Sequence, residues 1–141
     1  SNHSASGVAA HRTATEAATT LYARLGGVVS IAPIVDDFGD RVFANEVLDA
    51  NPRVHAALAH WTPASMKYLV TELVASAAGG PQKYTGKPMK ASHAHLGITE
   101  TEWASFAADF KASLDKFEVP AEEQGELFAL VGSLKSDIVT R

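Results

Sequence analysis

The sequence predicts an all-α protein, and three observations carry that prediction. Apolar residues recur at spacings of three and four along each of the longer stretches from Val28 onward, the period of a helix with one buried face. Breaks bearing glycine or proline, at Gly26-Gly27, Gly79-Gly80-Pro81 and Val119-Pro120, separate those stretches. No useful length of chain alternates apolar and polar residues with period two, so strands are not expected. A chain of 141 residues suits one domain with a real core, and no internal repeat divides it.

Ser1 to about Thr20 is rich in Ser, Ala, Thr and His, with Val8 its only large aliphatic residue. Such a segment cannot bury enough apolar area to offset the entropy of ordering it. A flexible tail over 1–20 is expected, with His3 and His11 solvated, followed by one domain over 21–141. Leu21 to Leu25 reads as a short helix ended by Gly26-Gly27. From Val28 to about Ala44, Ile31, Ile34, Val35, Phe38 and Val42 share one face. Asp36, Asp37, Asp40 and Arg41 lie mostly opposite and read as a solvated face. Gly39 interrupts this helix. A helical glycine costs about 1 kcal/mol relative to alanine, so it marks either a close approach by another group or a tolerated surface site.

Asn45 to Thr62 is less regular, with Asn51-Pro52 read as a turn and Val54 to His60 as a short helix. His55 and His60, five apart on it, point in different directions and cannot both serve one metal from that helix. Thr62 caps the next helix and Pro63 sits in its first turn. Its stripe is Met66, Leu69, Val70, Leu73, Val74 and Ala77. Two further helices present Trp103, Phe106, Ala107, Phe110, Leu114 and Phe117, then Leu127, Leu130, Val131, Leu134 and Ile138.

Composition narrows the function. Hydrophobic content of 46% and charged content of 20% are those of an ordinary globule. A net charge of -4 argues against nucleic acid or an anionic membrane as partner. The absence of cysteine excludes disulfides, thiolate catalysis, iron–sulfur clusters and cysteine zinc sites. No run is long and apolar enough to span a bilayer. No P-loop, dinucleotide fingerprint, nucleophile elbow or HExxH spacing is present. A cysteine-free chain fits a reducing compartment, and the cytoplasm is the expected location. A start at Ser suggests trimming, and a removed secretory signal would leave the same start, so export stays open.

The stretch GGPQKYTGKPMKASHAHLGITE, from Gly79 to Thr99-Glu100, organises the rest. Gly79-Gly80-Pro81 stops a long apolar helix. Tyr84-Thr85-Gly86-Lys87-Pro88 forms a turn, and Pro88 suits the start of a short helix from Met89 to about His95. Met89 and His93 are four apart on one face of it. Gly97 breaks the helix, and Thr99 with Glu102 reads as a capping box opening the next. A short bracketed helix thus presents one histidine between two long apolar helices. By pattern alone that histidine fits a structural core residue or a metal ligand. His95, two residues on, lies on a different side and is read as exposed.

LGG at Leu25–Gly27, DDF at Asp36–Phe38, GGPxxYTG at Gly79–Gly86, MKxxH at Met89–His93 and GIT at Gly97–Thr99 together resemble group I truncated haemoglobins, in order from about Leu21 to Val139. The resemblance implies a globin-like, truncated two-over-two helical sandwich around haem b, with His93 as the proximal iron ligand. Its other ring nitrogen would be held by a backbone carbonyl one turn back, that of Met89. The pocket would be walled by Phe38, Met66, Val70, Leu73, Met89, Ile98, Trp103, Phe106 and Phe110, with Tyr84 flanking the haem edge and Lys83, Lys87 and Lys90 available to propionates. The same residues would also serve as plain core.

On the distal side the chain departs from the family. Gly39 stands where the usual tyrosine follows the DDF motif, Val70 aligns with the family's usual glutamine, and Met66 holds the helix position one turn earlier. No matched position carries a donor, which makes the chain an atypical member. The expected function is binding of a diatomic gas (oxygen, carbon monoxide or nitric oxide), including oxygen transport, with a reductase as a further partner. The alternatives are nitric oxide dioxygenation or peroxidase-like chemistry, a bis-histidyl redox or sensor haem, and a haem-free interaction domain. Peroxidase-like chemistry and a second ligand would both use His55 or His60, admitted by the space at Gly39; an inward Tyr68 is a further source of a donor.

Overall fold

A computed structural model of the chain describes residues 19–141. In chain order these form α1 (Leu21–Arg24), α2 (Val28–Phe43), α3 (Glu46–Asp49), α4 (Pro52–His60), α5 (Pro63–Ala77), α6 (Met89–His93, continued by a 3-10 turn over Ala94–Leu96), α7 (Glu100–Lys116), α8 (Ala121–Gly132) and α9 (Lys135–Ile138). Among the described residues the only β-type pairing is a single bridge between Ile98 and Val139. The fold is all-α, as the periodicity predicts.

The helix boundaries follow local chemistry. Thr20, expected in the tail, instead caps α1, its hydroxyl accepting from the Ala23 N–H at 3.1 Å. His3, His11 and the remainder of the expected tail up to 18 lie outside the described residues. Gly26 and Gly27 turn the chain into α2 with φ of 97° and 74°, the left-handed region that glycine enters without strain. The connection after α2 is more ordered than its sequence suggests. Asn45 and Asn51 each accept two backbone N–H groups of the following turn. Asn51-Pro52 therefore opens α4, with Asn51 as cap and Pro52 in the first turn, rather than forming a bare turn.

α2 is the axial element, packed against α5 and against α7. Ile31, Val35 and Ala75, the last fully buried, close the α2–α5 contact. Ala77, expected on the buried stripe, is exposed. The small Ala75 takes the contact because α5 turns a separate face, through Met66, Val70 and Leu73, toward a cavity. Phe38 and Ile34 of α2 join Phe110 and Leu114 of α7 and Leu127 of α8 in the main core.

The acidic residues of α2 do not form one solvated face. The Asp37 side chain is only 15% exposed and accepts from Arg41 Nε at 2.8 Å, Ser113 Oγ at 2.8 Å and Lys116 Nζ at 2.9 Å. These bonds, led by that from Arg41, hold its carboxyl well below the usual carboxylate range. Asp37 thereby ties α2 to α7 by charge as well as by packing.

Candidate functional site

Between α2, α5, α6 and α7 lies an apolar cavity of about 550 Å³, within the ordinary size range of small-molecule sites. Phe38, Met66, Val70, Leu73 and Tyr84 lie on its wall, as do Met89, Ile98, Trp103, Phe106 and Phe110. His93 lies there too. The cavity thus brings together the residues that the sequence proposes as apolar pocket walls, together with Tyr84 and His93. An aromatic run lines one part of it. Trp103 and Phe106 have ring centroids 5.3 Å apart, Phe106 meets Phe38 edge-on at 5.1 Å, and Phe38 meets Phe110 at 5.2 Å. Ring pairs at such distances add attraction beyond the area they bury.

His93 is held by its own helix. Its Nδ1 lies 2.9 Å from the Met89 carbonyl oxygen, one turn back, and 2.8 Å from Ser92 Oγ. A carbonyl can only accept, so Nδ1 carries the hydrogen and Nε2 keeps its lone pair. Burial, the largest influence, pushes the His93 ring down from its ordinary value, against the opposing bond to Met89. The imidazole is neutral and oriented, as a metal ligand must be. The bracket around it is explicit: Gly97 ends the 3-10 turn with φ of 63°, and Thr99 and Glu102 complete both bonds of a capping box. The Ser92 contact was not anticipated. Its signal in the sequence is a serine four residues after Pro88, placed to bond back to that carbonyl, which it does at 3.1 Å.

His55 and His60 do not enter the cavity. Both are exposed on α4, and the His55 ring is turned outward, with Nδ1 2.6 Å from Asp49. The helix turns its apolar face, Val54, Ala57 and Leu58, inward instead, as its hydrophobic spacing requires. Tyr68 is 63% exposed and also points away. The space at Gly39 is filled differently: a Cβ placed there would fall 2.8 Å from Lys67 Cγ and 2.9 Å from Lys67 Cε. Gly39 is therefore a close-approach glycine, and Lys67 is a wall residue that the sequence did not single out. Of the lysines proposed for propionates, Lys87 borders the cavity, while Lys83 and Lys90 are exposed away from it. Tyr84 is fixed across its turn by donating to the Lys87 carbonyl at 2.7 Å. Among the described residues no group of three acidic, histidine or cysteine side chains is placed to hold a metal unaided.

One neutral imidazole facing an apolar slot between long helices is the arrangement of a globin-class protein, in which a flat cofactor supplies what the side chains lack. The bacterial-like globin family model matches residues 20–140. The chain is 32% identical to the group 1 truncated hemoglobin GlbN of Mycolicibacterium paratuberculosis, over 86% of this chain and 85% of that protein. It is 28% identical to the protein of the same name from Synechocystis, over 82% and 91% respectively. Among solved structures, the 2/2 hemoglobin of Synechococcus sp. PCC 7002, in the cyanomet state with covalently attached heme, superposes with a TM-score of 0.73 at 26% identity, covering 87% of this chain and 100% of that one. The truncated hemoglobin of Tetrahymena pyriformis in its Fe(III) form gives 0.75 at 21% identity and the same coverage, a likeness of fold. The chain belongs to the bacterial-like globins and, within them, to the group I truncated haemoglobins; it is a haem-binding globin.

The residues present fit that group. A porphyrin needs a broad apolar slot, one neutral nitrogen ligand and cations at its carboxylate edge. The cavity wall, His93 Nε2 and Lys87 meet those needs in turn.

Proposed function

We propose that the protein binds a diatomic gas, oxygen, carbon monoxide or nitric oxide, beside a haem b whose iron is held by His93. Haem supplies an iron with one coordination position left open when a single imidazole holds the other side. The observation that carries the reading is the state of His93. Its Nδ1–H is committed to Met89 and Ser92, so Nε2 is the nitrogen left for a ligand bond, on the wall of an apolar cavity. Phe38, Met66, Val70, Leu73, Tyr84, Met89, Ile98, Trp103, Phe106 and Phe110 exclude water around it.

The residues at the matched distal positions, Gly39, Met66 and Val70, offer no hydrogen-bond donor. A polarised ligand such as oxygen gains little there, and less polar carbon monoxide is favoured by comparison. Peroxidase-like and bis-histidyl readings both need an imidazole on that side, and the outward His55 and His60 withdraw their support. Oxidation of iron in a donor-poor site calls for a reductase as partner. A cytoplasmic location suits the cysteine-free composition.

Absorbance spectra of purified wild type and His93→Ala, ferric and ferrous, with and without carbon monoxide, test this reading. A coloured wild type with a Soret band that shifts under carbon monoxide is expected. His93→Ala should lose haem and recover it with added imidazole. Unchanged pigment in His93→Ala removes His93 from the role. A colourless wild type that ignores added haemin supports a haem-free interaction domain instead.

A further inference from the structure

α2 and α5 contribute Val35, Phe38, Val42, Met66, Val70, Leu73 and their apolar neighbours to the cavity wall, and one polar side chain, Lys67. Its stem runs against the backbone at Gly39, where any Cβ would collide with it. Its ammonium ends between Asp36 Oδ1 at 2.8 Å and Asp40 Oδ1 at 2.6 Å. The lysine is only 19% exposed, but its two partners are 66% and 67% exposed. It is thus a half-buried stem with a cation parked at the rim by two solvated carboxylates.

We propose that Lys67 determines ligand selectivity on the distal side, its ammonium leaving Asp36 and Asp40 to bond an anionic ligand in the cavity and staying with them when the ligand is neutral. This rests on the haem-globin reading above. Exposed ion pairs are weak because water screens them and long side chains resist immobilisation. A charge-assisted hydrogen bond in a dry cavity is stronger. Exchange of the first for the second is favourable only when the ligand carries negative charge, since an ammonium without a partner is costly to bury. Bonds to both carboxylates hold the ammonium above its ordinary value, so it stays charged at neutral pH. Gly39 makes the arrangement possible, because a larger side chain there would displace the stem.

The test uses full-length haem protein and two probes, azide on the ferric form and carbon monoxide on the ferrous form. Lys67→Met keeps the stem against Gly39 and removes the charge. It should weaken azide by about ten-fold or more, as loss of a hydrogen bond between charged groups does, while carbon monoxide binding stays within about two-fold. Asp36→Asn with Asp40→Asn should strengthen azide several-fold. In haem-free protein, 15N NMR of the Lys67 ammonium should show slow proton exchange in wild type and fast exchange in that double variant. Unchanged azide affinity in Lys67→Met, or equal weakening of both probes, overturns the proposal and leaves Lys67 as packing alone. Haemin uptake by wild type is the separate check on the parent reading. Its failure sinks both, whereas uptake with unchanged azide affinity sinks this one alone.

Discussion

The two sides of the cavity are built by different rules. On the His93 side, the polar contacts to the ring among the described residues come from within one turn: Met89 O and Ser92 Oγ, with Gly97 and Thr99 closing the segment. On the opposite side the wall is assembled from two helices. Lys67 of α5 lies across Gly39 of α2 and reaches Asp36 and Asp40, the latter 27 residues away. A site made of neighbours in sequence forms whenever its helix forms. A site made of residues from separate helices exists only when those helices dock at the right distance. The His93 imidazole, proposed to hold iron, is therefore robust to changes elsewhere, and the wall built by α2 and α5 is the part that a few substitutions can retune.

Substitutions can sharpen that contrast, beginning with the largest. Phe110 is 4% exposed, lies on the cavity wall and touches both Phe38 and Phe128, so it joins that wall to the main core. Phe110→Ala should cost about 3–5 kcal/mol in chemical denaturation of the haem-free protein and impair haem uptake as well. A loss under about 1 kcal/mol would mean that the shared wall is looser than described.

Asp37→Asn removes the charged tie between α2 and α7 and should cost about 1–3 kcal/mol at neutral pH. The folded carboxyl titrates below its unfolded value of about 4, so its stabilisation is fully present above that value and is lost as pH falls from there through the lower folded value. Wild type and variant should accordingly converge in acid. A gap that is constant with pH would assign the effect to packing instead.

Gly97 sits at φ 63°, where a side chain is strained. Gly97→Ala should cost about 1–2 kcal/mol and act on the His93 segment first, seen as faster haem loss at an unchanged azide-to-carbon-monoxide ratio. Thr99→Ala deletes one bond of the capping box and should cost about 1 kcal/mol. Should either change alter the ligand ratio as strongly as Lys67→Met, the separation between the two sides would fail.

Much of the fold was legible in the sequence because its signals are periodic or local. The stripes of α2, α5 and α7 appear in their apolar spacing, the Thr99–Glu102 box is a three-residue relation, and the Met89–His93 pair is one helical turn. The misreadings have a common cause. Asp37 reads as solvated until Ser113 and Lys116 arrive from α7. Ala77 fits the stripe of α5, yet Ala75 is the residue that α2 touches. His55 and His60 look available to the cavity until Val54, Ala57 and Leu58 turn that way instead.

By itself the sequence determined that the chain is helical, where its helices break, and which histidine is presented on a short bracketed segment, since each of these rests on relations among near neighbours. Tertiary structure alone decided what covers Gly39, which acidic side chain is shielded from water, and that an apolar face of α4 rather than a histidine meets the cavity. Those outcomes depend on helices docked from distant parts of the chain, and no periodicity within one helix records the side chain that another helix will lay against it.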